Sequence, residues 1–262
     1  MPSLHSSADE KNQSQWFKEW FNHPLYLELY SHRNREEASD CVNMILQETG
    51  LETTKPSGPA LLDIACGAGR HALEFARKGF DVTANDLSAF LLQEAQKEAA
   101  QESLELRFTG HDMRNISESG SYRMVVQLFT SFGYFDSADE DRKVVSAVFR
   151  ALQSDGWYVL DLINPSHLKR HLVQHSTRRA GGMHVEENRV LEESLITKQI
   201  TITPETGKAL EFSESVRLYS SEEITAMLEN EGFALDFIIG DYSGSPFSEG
   251  ESPRMILFSK KR

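Results

Sequence analysis

Five residues in this chain have the types and spacing of a ligand site. Asp63, Gly67 and Gly69 fall in LLDIACGAGRHALEF; Asp86 follows in VTANDLS and Asp112 in GHDMR. The first run reads as a buried strand (60–65), a glycine turn and a helix (69–79). Glycines at such a turn let a ligand approach the backbone with no Cβ in the way. Asp86 ends the next strand (80–86), where a carboxylate can accept hydrogen bonds from both hydroxyls of a ribose. Asp63, four residues before the first glycine, is unfavourable to a pyrophosphate and favourable to a cationic amino group. Asp112 follows a third strand (104–108), placed to accept a hydrogen bond from an adenine amine. Gly67-Ala68-Gly69-Arg70-His71-Ala72 also fits the dinucleotide pattern G-x-G-x-x-A. An NAD-dependent oxidoreductase is therefore a rival, opposed by Asp63, Asp112 and an antiparallel strand pair at the end of the sheet.

The surrounding elements must position these residues. Residues 15–31 are rich in aromatics and interrupted by Pro24, which predicts short helices. An amphipathic helix follows over 34–49, with Asn34 as its N-cap and Gly50 as its stop. TTKPSGP reads as a linker. Strands at 60–65, 80–86, 104–108, 124–129 and 156–163 then alternate with helices at 69–79, 88–101 and 138–152, which predicts a parallel sheet of βαβ units. Past Asn164 the rhythm breaks. A helix is expected over 166–175, then consecutive strands over 178–219 with PETG as a turn, forming an antiparallel insertion. A helix opened by the capping box Ser220 to Glu223 restores the α/β pattern. Two strands, 233–240 and 254–261, close the chain as antiparallel neighbours.

Composition narrows the function. With 27 Lys and Arg against 40 Asp and Glu, the 262-residue chain carries a net charge of −13. That disfavours a nucleic-acid partner. Cys41 and Cys66 make no disulfide framework, and no secretory signal or run of about 18 apolar residues is visible. A cytoplasmic protein is expected, with no membrane partner and no metal; the oligomeric state is not legible.

The stretch DIACGAGR, with Asp86 and Asp112 behind it, resembles the class I S-adenosylmethionine-dependent methyltransferases over residues 56–165 and 218–262. The resemblance implies a Rossmann-like seven-stranded sheet with its last strand antiparallel. It implies S-adenosyl-L-methionine as cosubstrate and methyl transfer to an N, O or C atom of a small molecule. Asp63, Ala65 and the Gly67–Gly69 loop would hold the methionine end. Asp86 would bind the ribose with Leu87 beside the adenine, Asp112 and Met113 would bracket the adenine, and the backbone near Leu128 would close the site. The family often has glycine at Ala65; alanine is acceptable there if the position stays in the strand. YLELYSHRNREEA and GSPFSEGESPRMILFSK look like a bacterial subgroup that methylates small molecules. The expected division is an N-terminal helical lid (1–55), a cofactor-binding core (56–165 and 220–262) and an acceptor-binding β insertion (166–219).

Within the lid, Tyr26, Tyr30, His32 and Arg33 are expected to face inward. Tyr26 and Arg33 would touch the cofactor, and His32 and Tyr134 are the catalytic candidates. Phe132, Tyr134 and Asn164 form an alternative wall. Cys66 lacks a nearby base and reads as a small loop residue, and the basic run 167–179 as a solvated face. The absence of Asn/Asp-Pro-Pro-Tyr/Phe after the fourth strand counts against methylation of DNA bases or glutamine amides. A non-catalytic S-adenosylmethionine-binding regulatory protein is the second alternative.

Overall fold

The computed structural model describes residues 15–30, 35–53 and 58–262. His32, Arg33 and Asn34, most of the expected linker and the first 14 residues lie outside that set. Helices α1 (Trp16–Trp20), α2 (Leu25–Leu29) and α3 (Arg35–Thr49) precede the sheet. The core then runs β1 (Ala60–Ile64), α4 (Arg70–Arg77), β2 (Asp81–Asn85), α5 (Ala89–Gln101) and β3 (Arg107–Thr109). A short 3₁₀ turn (Met113–Asn115) leads to β4 (Tyr122–Gln127), α6 (Ala138–Ala151), β5 (Leu152–Ile163) and α7 (Pro165–His171). Strands β6 (His175–Ala180), β7 (Met183–Glu192), β8 (Leu195–Thr203) and β9 (Leu210–Arg217) follow. The chain ends with α8 (Ser221–Glu231), β10 (Phe233–Ile239) and β11 (Arg254–Lys261).

Among the described residues two sheets result, as the sequence predicts. The first has seven strands in the order β10-β11-β5-β4-β1-β2-β3. Strands β1 to β5 are parallel, and β11 is antiparallel to both β5 and β10. Its central strands are apolar on both faces because helices cover both. Val144, Val145 and Val148 of α6 pack on one face; Cys41, Val42 and Ile45 of α3 belong to the core on the other. The capping box of α8 forms as predicted, with Ser220 and Glu223 exchanging hydrogen bonds.

The second sheet, β6-β7-β8-β9, is wholly antiparallel. Alternation puts Val185, Ile200, Ile202 and Phe212 on one face, where they share a core with Trp16, Trp20 and Leu29. Each such large apolar side chain contributes about 1.5–3 kcal/mol when fully buried. The first two helices are therefore seated on the second sheet.

Several boundaries move. The third strand is 107–109, because residues 102–104 continue the turn that closes α5, with Leu104 N–H donating to the Ala99 carbonyl. The fourth strand ends at Gln127, and the fifth starts at Leu152, four residues early, across a register shift against β4. Helix α7 stops at His171 and strand pairing begins at His175. No helix among the described residues is long and apolar enough to cross a membrane.

Candidate active site

The C-terminal ends of β1, β2 and β4 border a cavity of about 310 Å³, with the first two helices along another side. This is the edge of an open α/β sheet at which ligands bind. Asp63, from the end of β1, lines it. The carboxylate is buried, and its Oδ2 has no partner among the described residues. Burial and the nearby Asp86 charge push its pKa up to about 8, while a hydrogen bond from the Ala72 backbone pulls it down. An unpaired buried carboxylate oxygen is costly alone and matches an incoming ammonium group.

The turn after β1 is built on positive φ angles. Gly67 has φ +58°, and a Cβ there would meet only Leu91 Cδ1, at 4.0 Å; Gly69 has φ +82° and starts α4. A Cβ on Gly69 would come within 2.9 Å of the Ala95 side chain, so glycine there is also a packing requirement. Ala65 corrects an expectation. The strand ends at Ile64, and Ala65 takes φ +54°, so this position has already left the strand. A non-glycine residue in that region costs about 1–2 kcal/mol. Ala65→Gly is expected to relieve that cost, offset by about 0.5–1 kcal/mol of extra chain entropy in the unfolded state. Calorimetry should show a thermal midpoint higher by roughly 2 °C; a lower midpoint would mean that the Ala65 methyl makes contacts worth more than the strain.

Asp86 sits between two elements. Gly67 N–H donates to its Oδ2 at 2.7 Å and Ser88 N–H to its Oδ1 at 2.7 Å. Each oxygen retains a lone pair for a further donor. Burial raises its pKa to about 6 against these two hydrogen bonds. Ser88 caps α5 by accepting from Leu91 N–H, and its hydroxyl faces the Phe21 carbonyl at 2.8 Å and Asn22 Oδ1 at 3.0 Å. The segment after α1 is thus pinned beside the Asp86 carboxylate.

Asp112 lines the cavity but is already engaged. Its Oδ1 accepts from the backbone N–H and Nε of Arg114, each at 3.0 Å, and its Oδ2 from Nη2 at 2.6 Å. The Arg114 guanidinium holds its carboxyl below the usual range. Met113 accepts a weak contact from Gln127 Nε2 at 3.4 Å.

The cavity gathers most residues singled out in the sequence: Tyr26, Tyr30, Asp63, Ala65 and Gly67 on one side, with Asp86, Leu87, Asp112, Met113, Leu128 and Tyr134 completing its wall. Leu87 is 40% exposed and presents an apolar surface to the cavity. Gly69 stands behind the wall, capping α4. Of the alternative wall, Phe132 turns into the core against Tyr219, and the Asn164 amide is committed to the Glu249 and Ser252 carbonyls. Cys66 lines the cavity, and burial pushes its thiol well above the usual range, which leaves no nucleophile. No residue of 166–219 lines this cavity; the second sheet reaches it through the first two helices. Tyr30 shows the link, its ring in the wall and its hydroxyl between Glu214 (2.7 Å) and Lys198 (2.6 Å).

Asn85, His111 and His71 are among the lining residues that were not predicted. Asn85 accepts from His111 N–H and donates to the His111 carbonyl, both at 2.9 Å, fixing the loop before Asp112. His111 Nδ1 and His71 Nε2 are buried without partners among the described residues. His71 follows the glycine turn directly, so the motif carried that signal; Asn85 and His111 gave none.

A methyltransferase-domain family model matches residues 61–156, the segment that holds the glycine turn, Asp86 and Asp112. With this sheet order and this cavity, the chain belongs to the class I S-adenosylmethionine-dependent methyltransferases, and S-adenosylmethionine is its cosubstrate. A provisionally named methyltransferase of Bacillus subtilis, YqeM, is 26% identical over 90% of this chain and 94% of its own. The dTDP-3-amino-3,4,6-trideoxy-α-D-glucopyranose N,N-dimethyltransferase of Streptomyces venezuelae is 24% identical over 79% of this chain and 86% of its own. In fold, an S-adenosylmethionine-dependent methyltransferase from Clostridium acetobutylicum superposes with a TM-score of 0.76 at 21% identity, covering 90% of this chain and 96% of that one.

Proposed function

We propose that the chain methylates a nitrogen atom of a small molecule enclosed beneath the N-terminal helices. One observation carries the reading: the unpartnered Asp63 oxygen and an aromatic chamber open into the same cavity. Phe17, Phe21, Tyr26, Tyr30 and Tyr134 wall that chamber. Aromatic faces attract cations and exclude water, which suits a reaction that begins with a sulfonium. Two relatives in which this nitrogen chemistry is named, the sugar N,N-dimethyltransferase above and the glycine/sarcosine N-methyltransferase of Aphanothece halophytica, support the choice of atom.

Bound S-adenosylmethionine supplies an electrophilic methyl group on sulfur. The chain's residues bind, orient and seal. Asp63 takes the ammonium end, and the Gly67–Gly69 turn lets the methionine portion lie on the backbone. Asp86 accepts from the ribose, Leu87 and Met113 cover the adenine, Asp112 shares a lone pair with its amine, and the Leu128 backbone closes the far side. Tyr26 and Arg33 would contact the cofactor from the lid. Tyr134 walls the acceptor, and His32 would take a proton where the amine arrives protonated. Alignment and exclusion of water are the main contributions, since the electrophile is already activated. In this reading residues 1–55 form the lid, 56–165 and 220–262 the cofactor-binding core, and 166–219 the platform that shapes the acceptor space. The protein acts in the cytoplasm, without a nucleic-acid partner.

The test is methyl-labelled S-adenosylmethionine with a panel of small amines, from glycine and sarcosine to thymidine-diphosphate amino sugars. Label on nitrogen, matched by equimolar S-adenosylhomocysteine, is expected. Transfer only to oxygen or carbon would overturn the choice of atom. Tight cofactor binding with no transfer to any acceptor would favour the regulatory alternative.

A further inference from the structure

Two consecutive residues after β4 break a backbone rule. Phe129 and Thr130 have φ of +62° and +65°. A β-branched residue in this region is an outlier, and such strain persists only where the surroundings over-determine it. Here they do. Asp161, fully buried on β5, accepts from Phe129 N–H at 2.8 Å and the Tyr242 hydroxyl at 2.6 Å through Oδ2. Its Oδ1 accepts from Arg254 Nε at 2.8 Å and from Nη2. Arg254 Nη2 also donates to Thr130 Oγ1 at 2.9 Å, and Thr130 N–H donates to the Asp161 carbonyl at 3.0 Å.

The first residue of the strained pair is part of the cavity wall. Phe129 lines it beside Leu128 and Ser131, across from the turn after β1. Its ring centre lies 4.3 Å from the Arg70 guanidinium carbon and 5.4 Å from that of Arg254. Arg70 is itself held by Glu37. A buried ion pair is weak support for stability, since packed apolar residues often do as well. What this pair does that apolar residues cannot is grip the Phe129 backbone N–H and the hydroxyls of Thr130 and Tyr242 at once.

We propose that Asp161 and Arg254 are positioning residues for methyl transfer. They hold Phe129 and Thr130 in a conformation the chain would otherwise leave, and so fix the wall where the acceptor meets the cofactor. This rests on the reading that the cavity holds both.

Arg254→Lys keeps the charge beside Asp161 but loses the fork that reaches Asp161 and Thr130 together. With the amine that takes label fastest in the panel above, kcat should fall roughly tenfold while the cofactor KM stays within about threefold. Adding Thr130→Gly, which accepts positive φ without strain, should restore kcat severalfold. A purely structural role predicts a loss that tracks thermal stability and no such rescue. A second readout needs no acceptor. Amide exchange at Phe129 should accelerate about tenfold or more in Arg254→Lys, with β1 and β2 protected as before and S-adenosylhomocysteine affinity unchanged by calorimetry. Unaltered kcat, absence of rescue, or unaltered exchange at Phe129 would overturn the proposal. If the wild type transfers no label at all, the reading of the acceptor fails. The exchange and affinity measurements then still decide whether the network holds this wall.

Discussion

Asp86→Ala is expected to weaken S-adenosylmethionine binding by roughly tenfold to a hundredfold, the equivalent of losing a charge-assisted acceptor worth about 1.5–3 kcal/mol. The loss has two sources that a second variant separates. The carboxylate faces the cavity, where it would accept from the ribose, and it also accepts from the Gly67 and Ser88 backbone N–H groups. Asp86→Asn keeps one acceptor oxygen and removes the charge, so its affinity should fall between those of wild type and Asp86→Ala. Calorimetric titration with S-adenosylhomocysteine measures both. Equal affinity in all three folded proteins would remove Asp86 from the ribose site.

Cofactor affinity should climb steeply between pH 6 and 8. Asp63 in the unliganded protein has its pKa raised to about 8 by burial and by the Asp86 charge. At pH 7 its protonated form is favoured, whereas the cofactor's ammonium needs the carboxylate. Binding therefore expels a proton. Affinity rises by up to about tenfold for each pH unit below 8. It levels near pH 8, where α-amino groups themselves begin to deprotonate at about 7.7–8.0. Asp86, raised to about 6, steepens the lower end of the curve. The same raised values make both carboxyls bind protons more tightly folded than unfolded. The empty protein should thus gain stability from them as the pH falls from 8 towards 4. Proton release measured by titration in buffers of different ionisation enthalpy checks the account. A flat affinity profile over pH 6–8 in wild type, or an unchanged slope in Asp63→Asn, would show that Asp63 does not meet the ammonium group.

What the sequence made legible was what repeats locally. Strand–helix alternation, the glycine turn and the Ser220–Glu223 box each involve residues within a few positions, and each appears where it was read. Asp63, Asp86 and Asp112 were legible because each ends or follows a strand, and parallel strands bring those ends together. Ala65 was misjudged because the exit from a strand depends on where pairing stops, and β1 stops pairing with β2 at Ile64. The Phe129–Thr130 turn was invisible because nothing local favours it. Asp161 and Arg254 impose it from 32 and 124 residues away. The aromatic density of residues 15–31 was legible, but the seat of α1 and α2 on the second sheet was not, since Trp20 and Phe212 meet only through the fold.

The seating of the first two helices sets a rule for inheritance and for engineering. Trp20 and Tyr30 both donate to Glu214 of β9, each at 2.7 Å, and Lys198 closes that cluster from β8. Residues 15–30 and 175–217 are far apart in the sequence yet share one core, and they should therefore be exchanged together. A graft of the second sheet alone from a relative would leave Trp16, Trp20 and Leu29 facing a surface that never fitted them. Changes of acceptor should therefore travel as paired substitutions in two distant stretches, while Asp63, Asp86 and Asp112 at the edge of the first sheet stay fixed between them.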